Sequence, residues 1–78
     1  MGLINNIDKI HTTKMGIDRI KRNLRLDNVD VVSYLKDMVT DESATIILKG
    51  KNYYVTYKSV IITINKFSYT IITAHKLK

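Results

Sequence analysis

Seventy-eight residues with thirteen Lys/Arg, seven Asp/Glu, two histidines and no cysteine allow one domain, spanning 1–78, and no second core. They exclude a disulfide framework and a thiolate metal site; two distant histidines are too few for a zinc centre, so no metal and no cofactor is expected. No apolar run approaches the ~18 residues of a membrane span, and the expectation is a soluble cytoplasmic domain with no membrane partner.

The net charge of +6 is unevenly placed. Residues 1–42 hold all seven acids and as many basic residues, whereas residues 43–78 hold Lys49, Lys51, Lys58, Lys66, Lys76 and Lys78 without an acid. An acid-free basic half points to an anionic partner, a nucleic acid or a phosphorylated small molecule. The competing reading is a solvated lysine-rich surface.

Leu3, Ile4, Ile7 and Ile10 recur at three- and four-residue spacing and predict one face of a short helix. In "HTTKMGIDRIKRNL", Thr12 or Thr13 supplies a hydroxyl cap for a second helix. Ile17, Ile20 and Leu24 form its apolar stripe, and Arg19, Lys21, Arg22 and Arg25 lie mostly elsewhere. "LDNVDVVSYLKDM" restarts with Asp27 or Asn28 as cap and Asp30 in the first turn, where the helix dipole favours a carboxylate. Val31 or Val32, Leu35 and Met38 or Val39 then face inward, and "TDESAT" ends the helical half (1–42).

From Ala44 the period falls to about two, and β-branched and aromatic residues dominate. Four strands fit: Ala44–Lys49, Asn52–Lys58, Val60–Asn65 and Tyr69–Lys76. Their short connections imply an antiparallel meander. The turns place Leu48 opposite Tyr53, Ile46 opposite Val55, Tyr57 opposite Val60, Val55 opposite Ile62, Ile64 opposite Tyr69 and Ile62 opposite Ile71. One face collects Ile46, Leu48, Tyr53, Val55, Tyr57, Val60, Ile62, Ile64, Tyr69 and Ile71. The other, richer in threonine, collects Ile47, Tyr54, Thr56, Ile61, Thr63, Thr70 and Ile72. The more apolar face packs on the helices. The fold class is therefore α+β, two or three N-terminal helices on one face of a four-stranded antiparallel meander. In this register Thr73 and His75 fall on the helix-facing side near Tyr57 and Val60, at the rim of a cleft; the alternative is a frayed last strand.

Three constellations carry chemistry. His11, Thr12 and Thr13 with Arg19 and Arg22 combine a helix N-terminus, hydroxyls and guanidinium groups, which together bind phosphate; ordinary capping is the plainer reading. His75 with Thr73, Lys76 and Tyr57 forms an anion pocket, or a proton-transfer site in an enzyme. Tyr53, Tyr54, Tyr57, Phe67 and Tyr69, interleaved with lysines, resemble a base-stacking platform. Tyr53, Tyr57 and Tyr69 are more economically core residues, which leaves Tyr54 and Phe67 free. A glycine-rich phosphate loop, paired strand carboxylates and a nucleophilic serine motif are all missing.

Through "HTTKMGIDRIKRNLRL", "DVVSYLKDMV", "LKGKNYYVTY" and "SYTIITAHKLK" the chain resembles a small uncharacterised bacterial and phage domain family. More distantly, helices followed by a four-stranded sheet ending in "TIITAHK" are similar to RelE-type and barnase-like ribonuclease domains. That likeness would give weight to His11, Thr12, Arg19, Thr73 and His75.

The leading expectation is a small basic protein that binds an anionic nucleotide-type ligand or nucleic acid. Its ligand would lie between the His11–Arg22 segment and the end of the last strand, held by His11, Thr12, Thr13, Arg19, Arg22, Tyr57, Thr73, His75 and Lys76. A phage-type inhibitor that sequesters a nucleotide signal or blocks a host protein complex is one form. One alternative is a minimal metal-independent ribonuclease in which His11 and His75 share the acid and base roles. Another is a protein-interaction module or homodimer, joined by an exposed strand edge or the threonine-rich face.

Overall fold

A computed structural model of the chain describes residues 2–26 and 30–77. Helix α1 (Gly2–Asn5) and a single 3-10 turn (Ile7–Lys9) lead into α2 (Lys14–Leu24) and α3 (Val31–Val39). The strands β1 (Thr45–Lys49), β2 (Asn52–Tyr57), β3 (Val60–Asn65) and β4 (Ile71–Lys76) follow. The first apolar stripe is thus two pieces rather than one helix. Asn6 leaves helical geometry at φ −117° and ψ 27°, and its amide donates to the Gly2 carbonyl at 2.6 Å. Leu3 and Ile10 are nonetheless buried, and Ile4 is exposed.

Thr13, not Thr12, caps α2: its Oγ1 accepts from the Gly16 N–H at 3.0 Å. The helix ends on Arg25, held in left-handed geometry at φ 56° with its N–H donating to the Lys21 carbonyl. Asp30 is the cap of α3 rather than a first-turn residue, because its Oδ1 accepts from the Ser33 N–H at 3.2 Å. The other expected caps, Asp27 and Asn28, lie outside the described residues. Val31, Leu35, Met38 and Val39 are buried, as the spacing predicts.

The sheet runs β1-β2-β3-β4, antiparallel throughout. Ile46↔Val55, Leu48↔Tyr53, Val55↔Ile62 and Tyr57↔Val60 pair as expected. Both two-residue turns carry a positive φ at their first central residue, Gly50 (62°) and Lys58 (52°), the pattern of a type II′ hairpin.

The last strand departs from expectation, and the departure moves the site. Asn65 and Thr70 close a four-residue loop: the Asn65 N–H donates to Thr70 and the Tyr69 N–H to Asn65, each at 2.9 Å. Asn65 Oδ1 accepts from the Phe67 and Ser68 N–H groups inside it. Ile64 therefore meets Ile71 rather than Tyr69. The register then slips between Thr63 and Ile64, so Thr63 faces Thr73 and Ile62 faces Ala74. Ile72 is the extra residue of this bulge, and one extra residue exchanges the faces beyond it. Ala74 is buried with Ile62, whereas His75 is exposed beside Ile61. Thr73 and His75 thus lie on the face away from the helices, and their expected place on the helix-facing rim is corrected.

The core lies between the helices and the inner sheet face: Ile20, Leu24, Leu35 and Val39 meet Val55, Ile62, Ile64, Ile71 and Ala74. Each large aliphatic buried there contributes roughly 1.5–3 kcal/mol. Helix α2 covers β4 and α3 covers β2.

Candidate functional site

The segment before α2 is stitched to the outer edge of β4. The His11 N–H donates to Tyr69 at 3.1 Å, and its carbonyl accepts from Ile71 at 2.7 Å, a parallel bridge beside Thr70. Thr12 Oγ1 donates to the Ile71 carbonyl at 2.9 Å, and Asn23 Nδ2 to the Ala74 carbonyl at 3.2 Å. Side chains in this segment are therefore occupied with structure. His11 Nδ1 lies 2.8 Å from the Lys9 carbonyl; a carbonyl only accepts, so Nδ1 carries the proton. Nε2 lies 3.1 Å from Thr70 Oγ1, which is 2.8 Å from Ser68 Oγ. Thr13 is spent on capping α2. Arg19 and Arg22 are exposed. Arg19 precedes Asn23 by one turn and so shares the side of α2 that meets the β4 edge.

The two histidines are not brought together. Thr70, which holds His11, and His75 are separated by five residues of extended chain, about 16 Å at ~3.3 Å per residue. An acid–base pair must reach one reacting group within hydrogen-bond distance, so His11 and His75 cannot share those roles on one phosphate.

Tyr57 stays on the helix side, in a cleft of about 470 Å³ between α3 and the β2–β3 turn, lined by Tyr34, Asp37, Met38, Asp41, Tyr57, Lys58, Ser59 and Val60. The Ser43 backbone N–H, then the Ser43 hydroxyl, hold the Asp41 carboxyl below its ordinary value, with smaller help from the Tyr57 hydroxyl and Lys58. Two carboxylates make this cleft a poor place for an anion. Lys76, opposite Val60, belongs to the helix-facing side, so Tyr57, Thr73, His75 and Lys76 do not converge on one pocket.

The face away from the helices assembles a different set. Lys49 and Ile47 come from β1, Tyr54 and Thr56 from β2, Ile61 and Thr63 from β3, and Thr73 and His75 from β4. Tyr54 stands near its middle, facing Ile47 on one side and Thr63 on the other. Lys49, Tyr54, Thr56, Ile47 and Ile61 line a shallow depression. No element of the described residues lies over this face, and residues 43–78 contain no acid. Its polar signal was present in the sequence as an acid-free, threonine-rich strand face with one free tyrosine. His75 joins it only through the bulge. Phe67 stands apart, 70% exposed in the β3–β4 loop with Lys66 Nζ 5.0 Å from its ring centre.

Among the described residues, no group of three or more His, Asp or Glu side chains could hold a metal ion, and no helix is long and apolar enough to cross a membrane. The chain belongs to the family described as "Protein of unknown function (DUF3781)", whose model matches residues 4–75; this agrees with the uncharacterised domain family that its sequence blocks resemble. No curated protein and no solved structure matches the chain, so the likeness to RelE-type and barnase-like ribonucleases is without support.

Proposed function

We propose that this protein binds single-stranded nucleic acid on the uncovered face of its sheet. The observation that carries the reading is that face itself: open, free of acids, with Tyr54 near its centre and Lys49 and His75 at opposite corners. A tyrosine ring on a rigid strand offers a stacking surface to any base, worth about 1–3 kcal/mol. The hydroxyls of Thr56 and Thr73, both half-buried, offer donors and acceptors around it, whereas Thr63 is buried. Arg19 flanks the β4 side and Lys49 the β1 side, so a strand crossing the sheet meets cations at both ends. Binding requires no proton transfer, which agrees with the separation of His11 from His75.

The test is fluorescence anisotropy with a labelled twelve-nucleotide single-stranded RNA, its DNA equivalent and a duplex. Single strands are expected to bind more tightly than duplex. With about three phosphates neutralised, log Kobs should fall with log salt at a slope near −2. An absence of single-strand binding at low salt removes this reading.

A further inference from the structure

The two edges of the sheet are treated differently. Along β4 three outward groups are occupied: the Ile71 N–H by the His11 carbonyl, the Ile71 carbonyl by Thr12, and the Ala74 carbonyl by Asn23. Among the described residues nothing of the kind protects β1. The two-residue turn at Gly50-Lys51 makes Lys49↔Asn52 a hydrogen-bonded pair, so Thr45, Ile47 and Lys49 point their backbone groups at β2. Ile46 and Leu48 consequently point their N–H and C=O groups outward. The strand is regular in register with β2, holds no proline, and carries its single charge, Lys49, at its end. Edge strands left alone normally carry a bulge, a proline or a central charge. This one instead exposes Ile47 at 55% and Leu48 at 51%. Beside it, on the helix side, lies an apolar groove of about 450 Å³ lined by Gly2, Leu3, Ile4, Ile46, Leu48 and Tyr53.

We propose that β1 pairs antiparallel with β1 of a second copy of this chain, about a two-fold axis at Ile47, to give one continuous eight-stranded sheet. The strand is complementary to itself in this register. Ile46 and Leu48 of one copy meet Leu48 and Ile46 of the other, and their outward backbone groups form the hydrogen-bonded pairs. Ile47 meets Ile47 on the outer face, in a non-hydrogen-bonded pair where side chains approach most closely. Lys49 meets Thr45, so no lysine faces a lysine. Registers shifted by two residues either way lose this: one sets Leu48 against Ala44, the other sets Ile47 against Lys49. A two-fold axis across a strand edge is the isologous contact that closes a dimer and leaves no edge for further growth. On the helix side, each Leu48 closes the open flank of the partner's groove beside Ile46 and Ile4. No acid or base lines that groove, so the contact is apolar and backbone in character. Each chain carries +6, and salt should therefore strengthen the dimer while weakening nucleic-acid binding. The five-residue edge is ~17 Å long, a short contact beside the ~800 Å² per partner of a standard interface, so a weak, concentration-dependent dimer is expected.

Sedimentation equilibrium from about 1 to 200 µM, at low and at high salt, tests the dimer. Disulfide trapping tests its register, since the natural chain has no cysteine. A dimer is expected that strengthens with salt. Ile47→Lys, which sets two charges against each other on the axis, should be monomeric with an unchanged circular dichroism spectrum. Ile47→Cys should cross-link rapidly, because paired Cα atoms about 4.5 Å apart lie within disulfide range. Lys49→Cys, about 13 Å from its own copy in this register, should not. A wild-type chain monomeric at the highest concentration overturns the proposal. So does a dimer untouched by Ile47→Lys, or a Lys49→Cys link as fast as that of Ile47→Cys.

Discussion

His11 Nε2 lies 3.1 Å from Thr70 Oγ1, joining positions 59 residues apart. The ring is held from behind by the Lys9 carbonyl, and Thr70 by Ser68. With the two backbone bonds of His11, the pair fastens the helical half to the outer edge of the sheet. His11→Ala and Thr70→Ala should each lower stability by about 1 kcal/mol. Their coupling in a double-mutant cycle, measured by urea unfolding, should be about 0.5–1 kcal/mol. Additive effects would show that the backbone bridge alone holds the segment.

Most of the fold was legible because its signals are local. Ile17, Ile20 and Leu24 repeat at helical spacing. β1, β2 and β3 alternate cleanly between two-residue turns, so Ile46↔Val55 and Val55↔Ile62 follow directly. The candidate site was less legible, because it depends on β4. Its register is set by Asn65, whose carboxamide organises a four-residue loop, and by a bulge at Ile72 that no composition cue announces. Ala74 is the small inward residue whose carbonyl accepts from Asn23, and burying it sends His75 to the opposite face. One extra residue therefore separates His75 from Tyr57 and joins it to Tyr54.

Gly16 is required by a neighbour rather than by its own backbone. A Cβ there would meet Thr12 Oγ1, the hydroxyl that donates to Ile71. In the wild-type background Gly16→Ala should lower the unfolding midpoint, because displacing Thr12 costs about 1–2 kcal/mol and outweighs the helix-propensity gain. In a Thr12→Ala background the same change should stabilise by about 0.5–1 kcal/mol. Thermal unfolding of the four proteins reads the change of sign; stabilisation in both backgrounds would rule out the steric explanation.

Lys58 holds φ 52° at the first central position of the β2–β3 turn, where glycine is preferred and an L side chain costs roughly 1–2 kcal/mol. Lys58→Gly should relieve part of that strain and raise stability by about 0.5–1 kcal/mol after the entropy of the unfolded glycine is set against it. The same substitution at Lys51, whose φ is not positive, should not stabilise. Chemical denaturation of both variants makes the comparison.

Tyr54 and Lys49 should fail differently in nucleic-acid binding. Tyr54→Ala removes the stacking surface and should weaken single-strand binding about ten-fold or more, with the salt slope retained. Lys49→Ala removes one cation and should flatten the slope by about 0.7. His75→Ala belongs with Lys49 if its ring meets a phosphate and with Tyr54 if it meets a base. Anisotropy at three salt concentrations separates the two classes. Equal affinity for Tyr54→Ala and wild type would locate binding away from this face.

Asp41 gives the fold an acid-sensitive joint between α3 and β1. Its Oδ1 accepts from the Ser43 N–H at 2.9 Å and from the Ser43 hydroxyl at 2.7 Å, bonds that favour the ionised form and lower its pKa, with Tyr57 and Lys58 adding to the effect. The unfolded chain thus takes up this proton at a higher pH than the folded chain. The stabilisation is fully present above the ordinary carboxylate value of about 3.9 and is lost as pH falls through the lowered folded value. Other carboxylates titrate in the same range, so the informative quantity is the difference between wild type and Asp41→Asn. That difference should be constant near neutral pH and shrink steadily below about pH 4. Urea midpoints measured from neutral pH to pH 2 follow it, and parallel curves over the whole range would show that Asp41 titrates alike in both states.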